Sequence, residues 1–311
     1  MNGFIDLQIN GYAGVDFNAV ELDRNRFLHA TDIIQKDGTE QFLATLITAP
    51  FDEMLLKIER IASWLEDDPK LASVVKGLHI EGPFLSPVDG YIGAHPSSAT
   101  VMATTELAAQ LIEHGRGWVR MVTLAPEMDP GSKVTRYLTD RGIVVAAGHC
   151  DPSIDQLNQA IDQGLRLYTH LGNGCPSMLA RHDNIIQRVL SVSERLMVSF
   201  IADGHHVPMF ALANYLKCLP DHNIIIVTDA ISAAGLGPGR YQLSNQVVEV
   251  DADGSAWAEC RTHYAGCATA FPKMVDLLRQ HLDATPEQIS LWFRDNASRL
   301  LKDAMPHSVT K

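Results

Sequence analysis

The sequence predicts a closed (β/α)8 TIM barrel, and three observations predict it. Eight short apolar runs of 5–8 residues, rich in Val, Ile, Leu or Phe, recur along the chain. They are nearly continuous rather than alternating, as strands covered on both faces of a parallel sheet must be. Amphipathic stretches of helical period separate them, and 311 residues suit one barrel of roughly 250 residues plus an addition. An open doubly wound sheet is the alternative. It more often stops at five to seven strands, and Asn10-Gly11-Tyr12-Ala13-Gly14 after the first run is not its G-x-G-x-x-G phosphate loop.

The predicted strands are Phe4–Asn10, Phe42–Thr48, Gly77–Phe84, Met121–Ala125, Ile143–His149, Leu167–Asn173, Val198–Gly204 and Asn223–Ala230. The helices between them are Leu22–Lys36, Glu53–Leu65, Thr105–His114, Lys133–Asp140, Ser153–Asp162 and Met209–Leu216. Gly38, Gly115, Gly142 and Gly164 follow four of these, where a left-handed C-terminal residue is expected. After strand eight, Tyr241–Val250 and Ser255–Glu259 flank Asp253-Gly254 and read as a hairpin. Helices Pro272–Leu282 and Pro286–Leu301 then close the chain. The whole, residues 1–311, reads as a single catalytic barrel domain with 240–270 as a hairpin or flap insertion.

Composition narrows the partners. A net charge of −12, with 37 acidic against 25 basic residues, argues against a nucleic-acid footprint. No stretch offers the ~18 apolar residues of a membrane helix, and no signal peptide precedes the first strand. A cytoplasmic protein with neither membrane nor nucleic-acid partner is expected. The five cysteines (Cys150, Cys175, Cys218, Cys260 and Cys267) are scattered without a Cys-x-x-Cys pair and read as buried reduced thiols.

Chemistry in such a barrel sits at the carboxyl ends of the strands. Strand three ends in Glu81, strand five in His149, strand six in His170, strand seven in Asp203-Gly204-His205-His206 and strand eight in Asp229. A lone His there is ordinarily a satisfied polar residue, and a lone Asp a helix N-cap. Glu81 is harder to dismiss, because an unpaired carboxylate ending an apolar run is costly. Four such residues at equivalent positions of one barrel favour a metal site. Glu81, His149 and His170 form a His2Glu set with a position left for water, suited to one divalent ion, zinc or ferrous iron. Gln8 and Asn10 on strand one are weak ligands, so a second ion is not expected. Asp229 is the spare carboxylate, able to take a proton from water and hand it to a departing amine.

Phe4-Ile5-Asp6-Leu7-Gln8-Ile9-Asn10-Gly11, Gly77-Leu78-His79-Ile80-Glu81-Gly82-Pro83-Phe84, Gly93-Ala94-His95, Thr123-Leu124-Ala125-Pro126-Glu127, Ala147-Gly148-His149, Thr169-His170-Leu171, Ala202-Asp203-Gly204-His205-His206-Val207 and Val227-Thr228-Asp229-Ala230 resemble the N-acetylglucosamine-6-phosphate deacetylase family of the amidohydrolase superfamily. The resemblance runs to about Lys302. It implies hydrolysis of N-acetylglucosamine-6-phosphate to glucosamine-6-phosphate and acetate, metal ligation by Glu81, His149 and His170, and Asp229 as general acid/base. It further implies that His95 and His206 hold the sugar and the reacting carbonyl. Asn173 and Gly174 become donors near the phosphate, and Arg181 a phosphate-binding arginine donated across a homodimer interface. Gln8-x-Asn10 matches the family's single-metal branch.

The chain departs from the family pattern at three places. Three residues precede Phe4 and few follow Lys302, so most of the family's small β-sandwich is expected to be absent. The usual Leu-(aromatic)-Asn-Ala-Met is Leu171-Gly172-Asn173-Gly174-Cys175, and a usual Gly-Ser step is Gly266-Cys267. Two rivals follow: an amidohydrolase acting on another N-acyl or cyclic amide substrate, and a non-catalytic sugar-phosphate-binding homologue.

Overall fold

The computed structural model describes residues 3–243, 246–259, 261 and 264–303. Eight parallel strands run in chain order around one sheet: β1 (Phe4–Ile9), β2 (Thr39–Ile47), β3 (Val75–Glu81), β4 (Val119–Leu124), β5 (Val144–Ala147), β6 (Leu165–Tyr168), β7 (Met197–Ile201) and β8 (Ile224–Val227). The ring closes where Ile9 bridges Ala230 in parallel. All eight predicted runs are barrel strands. Their continuous burial, complete in β5, β7 and β8, is what made them continuous in sequence.

The surrounding helices follow the usual physics. In the helix Arg24–Lys36, the Asp23 side chain accepts from Arg26 N, and Phe27, Ala30, Thr31 and Ile34 are buried. That i, i+3, i+4, i+7 stripe faces the sheet. Two short helices escaped the sequence reading: Pro69–Val74, capped by Asp68, and Ile185–Ser191, capped by Asn184. Gly38, Gly142 and Gly164 are left-handed as expected (φ 95°, 73° and 106°). Gly115 is not: its φ is −74°, and Arg116 and Gly117 carry the positive φ instead. The final predicted helix is continuous but contains a π turn over Leu291–Asp295, which points Phe293 onto Phe4 and Phe271.

The expected hairpin is larger than predicted. Tyr241–Val250 is not one strand but belongs to two, β9 (Gly239–Leu243) and β10 (Gln246–Val250), joined by residues outside the described set. With β11 (Ser255–Ala258) and β12 (Tyr264–Cys267) they form a four-stranded antiparallel sheet. Its small core is Ala233, Val248, Val250 and Ala256. The sheet is anchored to the barrel mouth, because Cys267 bridges Ala230 and its carbonyl accepts from Ile231 N at 3.0 Å. Among the described residues no helix is long and apolar enough to cross a membrane.

Candidate metal centre and active site

Three of the expected residues occupy the same structural position. His149, His170 and Asp229 each stand two residues beyond the end of a strand, and each has left-handed backbone (φ 50°, 36° and 51°). Such a conformation costs a non-glycine residue of order 1–3 kcal/mol and collects at functional sites. Each is held by a neighbouring element. His149 Nδ1 lies 2.9 Å from the Tyr91 carbonyl, His170 N donates to Ser199 Oγ at 2.9 Å, and Asn10 Nδ2 donates to Asp229 Oδ1 at 2.7 Å.

They converge on Glu81, the last residue of β3, which is 2% exposed. Its Oε1 lies 3.1 Å from His170 Nε2 and 3.4 Å from His149 Nε2. Its Oε2 lies 3.9 Å from His95 Nε2. Gln8 Nε2 donates to Oε1 at 3.1 Å, and Gln8 is oriented by Thr169 Oγ1, which donates to its amide oxygen at 2.7 Å. The weak ligand of strand one is thus a brace for the carboxylate.

The donor chemistry fits a divalent cation. His149 Nδ1–H is committed to the Tyr91 carbonyl, so in the neutral ring the Nε2 lone pair faces the Glu81 oxygen. Lone pair against carboxylate in a buried site calls for a positive charge between them. Glu81, His95 and His149 offer atoms within 4.8 Å of one another, so His95 stands among the candidate ligands as well as beside the sugar position the sequence suggested. Zinc-type sites are built from such oxygen and nitrogen sets.

The electrostatics separate the two carboxylates. Burial would raise Glu81, but the neighbouring imidazoles of His149, His170 and His95 hold it well below the ordinary carboxylate range. Asp229 is pushed the other way, by burial and by the charge of Glu81, against the opposing pull of His170, His206 and Asn10. Burial and the neighbouring His149 push His95 down to about 3, so its ring is neutral. Two carboxylates with pKa values driven apart are a pattern of acid/base sites.

His206 joins this group through a partner the sequence did not assign. Asp203 Oδ2 lies 2.7 Å from His206 Nδ1, while Oδ1 accepts from His205 N and His206 N, both at 2.9 Å. Burial alone would lower His206, yet the Asp203 bond and charge raise it. The only sequence signal for this pair was the spacing Asp-x-x-His in a turn. Strand β12 adds Tyr264, whose ring centroid is 5.6 Å from that of His206.

The expected phosphate residues are less convergent. Asn173 N and Nδ2 both donate to the His170 carbonyl, at 3.0 and 3.3 Å. Gly174 (φ 59°) and Gly93 (φ 60°) pack on His149, where a Cβ on either would meet the ring at 3.0 Å. Only glycine can approach this closely with that backbone. Arg181 is exposed and has no intrachain ion pair or hydrogen bond among the described residues, since Asp183 pairs with Arg188 at 2.6 Å. Cys150 and Cys267 are buried free thiols as expected, but Cys175 is half-buried and Cys218 exposed, so burial does not extend to all of them; Cys260 lies outside the described residues.

Comparison with known proteins places this arrangement. No family model matches the chain. N-acetylglucosamine-6-phosphate deacetylase of Lysinibacillus sphaericus is 30% identical over 300 residues, 96% of this chain and 76% of that protein. The Homo sapiens protein of the same name is 37% identical over 258 residues, 80% of this chain but 61% of its own length. Among solved structures, a variant of N-acetyl-D-glucosamine-6-phosphate deacetylase from Mycobacterium smegmatis, in complex with N-acetyl-D-glucosamine-6-phosphate, superposes with a TM-score of 0.85 at 26% identity, covering 97% of this chain and 77% of that one. By this likeness over nearly its whole length, the chain belongs to the N-acetylglucosamine-6-phosphate deacetylase family.

Proposed function

We propose that the chain hydrolyses the acetamide of N-acetylglucosamine-6-phosphate, releasing glucosamine-6-phosphate and acetate. One observation carries this reading: a buried Glu81 carboxylate ringed by the imidazoles of His95, His149 and His170, with the separately tuned Asp229 beside it. Glu81, His149 and His170 would hold one divalent ion, zinc or ferrous iron. When bound, it supplies Lewis acidity towards the acetyl carbonyl and makes water a nucleophile near neutral pH.

The chain's own residues do the rest. Asp229 takes the proton of the attacking water, and its raised pKa lets it retain that proton until the amine departs. His206, whose pKa the Asp203 bond and charge raise, donates from its other nitrogen to the developing oxyanion, a role worth roughly 3 kcal/mol for a well-placed donor. His95, neutral and buried, orients the sugar beside the carbonyl. Asn173 and Gly174 shape the loop under the phosphate. Arg181, without an ion pair or hydrogen bond among the described residues, takes the 6-phosphate by a bidentate contact, from across the interface of a homodimer. Residues 240–270 act as a flap on this one catalytic domain. The buried free thiols Cys150 and Cys267 support a reducing, cytoplasmic compartment.

The test is acetate release from N-acetylglucosamine, N-acetylglucosamine-6-phosphate and other N-acyl sugars at defined zinc. The phosphorylated sugar should have the highest kcat/KM. Equal rates with and without the phosphate would favour another amide substrate. Absence of release from every compound, with less than one equivalent of metal bound, would favour a non-catalytic binding protein.

A further inference from the structure

Asp203, His206 and Cys267 present an oxygen, a nitrogen and a sulfur, all within 4.8 Å of one another. None of the three belongs to the Glu81 cluster, and the sulfur comes from the flap strand β12. We propose that these residues form a second divalent-metal site, thiophilic where the first is rich in imidazole, and that filling it withdraws His206 from the substrate.

The site is built before any ion arrives. Asp203 is fixed by two backbone amides at 2.9 Å and is 4% exposed. Cys267, 1% exposed, is fixed through its carbonyl to Ile231 N at 3.0 Å, and Thr269 N donates to its sulfur at 3.4 Å. Burial holds the thiol well above its ordinary range, against the opposing pull of that last bond, so the ion itself must displace the proton. Ligands of a tetrahedral zinc ion stand roughly 3.5 Å apart, so a contraction of little more than about 1 Å completes the set. Binding exchanges two protons for one divalent ion: the thiol proton of Cys267 and the proton shared by His206 Nδ1 and Asp203 Oδ2. Net charge is unchanged, and affinity must rise with pH.

Binding itself is independent of what the enzyme hydrolyses; only the inhibition rests on the proposed role of His206. The protein loaded with one equivalent of zinc is titrated with cobalt(II), recording bound metal, the cobalt–thiolate charge-transfer band and acetate release. A second equivalent should bind with a thiolate band, and activity should fall as the band grows. Cys267→Ser should bind the first equivalent normally, lack the band, and need at least about tenfold more cobalt for inhibition. Asp203→Asn should weaken the second equivalent while keeping the thiol, which covers the case in which the serine variant fails to fold. No second equivalent in the unaltered protein, or a band that persists in Cys267→Ser, overturns the proposal. If no acetate is released at all, stoichiometry and band still decide the binding, while the deacetylase reading fails separately.

Discussion

Replacing Asp203 with Asn leaves the size of the side chain unchanged and alters one electrostatic relationship. The carboxylate makes three bonds: two to the backbone amides of His205 and His206, and one of 2.7 Å to His206 Nδ1. An asparagine carbonyl oxygen can keep the two amides, but its NH2 then faces Nδ1. His206 must present a lone pair there and becomes a neutral ring. Nε2 still carries a hydrogen, so the contact to the oxyanion survives as a neutral bond rather than a charged one. Hydrogen bonds to charged groups contribute ~1.5–3 kcal/mol against ~0.5–1.5 for neutral ones, a difference of about 1–1.5 kcal/mol, or roughly tenfold in rate. Because the negative charge develops only in the transition state, kcat should fall and KM should hardly move. Steady-state acetate release by Asp203→Asn, His206→Asn and the double variant measures this. The double variant should lose little beyond His206→Asn alone, because Asp203 acts through His206. Unchanged kcat in Asp203→Asn, or fully additive losses, would refute the coupling.

Four further outcomes are expected. Asp229→Asn should bind one equivalent of zinc as before while kcat falls ~10^2–10^4-fold, the usual worth of a general acid/base; metal analysis and turnover check it. Arg181→Ala should raise KM for the 6-phosphate about 10- to 150-fold, the ~1.5–3 kcal/mol of charged hydrogen bonding, and leave kcat and the KM of the unphosphorylated sugar alone. Gly174→Ala brings a Cβ to 3.0 Å from His149 Nδ1, and pushing the ring off the Tyr91 carbonyl should weaken zinc binding ~10–100-fold by competition with a chelator. Asp6 is fully buried, and burial pushes it up to about 7 against the donors of Thr228 and Gln8. A raised folded pKa means that its contribution is complete below 3.8 and lost as pH rises to about 7. Urea midpoints across that window should therefore fall less for Asp6→Asn than for the unaltered protein.

The barrel was legible because a parallel strand buried on both faces leaves an unbroken apolar run, and the residue that breaks it marks the strand end. The same rule exposed Glu81, His149, His170 and Asp229, since polar residues at those ends have nowhere to go except the mouth. What lay outside the pattern depends on contacts between distant segments. The bond from Asp203 to His206 is local, yet nothing in the residue types says that the carboxylate turns towards the ring. His95 arrives beside Glu81 on a loop that folds back over the mouth, which no periodicity encodes. Gln8 looked inert as a ligand, and its role as a brace follows only from Thr169 orienting its amide. The four-stranded sheet reads as a hairpin when Tyr241–Val250 counts as one strand, passing over the polar pair Ser244-Asn245 between β9 and β10. Gly115 was assigned the left-handed position that Arg116 and Gly117 take instead, one residue later in a longer turn.

The most direct test of the metal centre is an anomalous difference map at the zinc edge from crystals loaded with one equivalent of zinc. One peak is expected at the barrel mouth, liganded by Glu81, His149 Nε2 and His170 Nε2, with Asp229 near it but uncoordinated. A peak held by His95 in place of His170, or one remote from Glu81, would contradict the assignment.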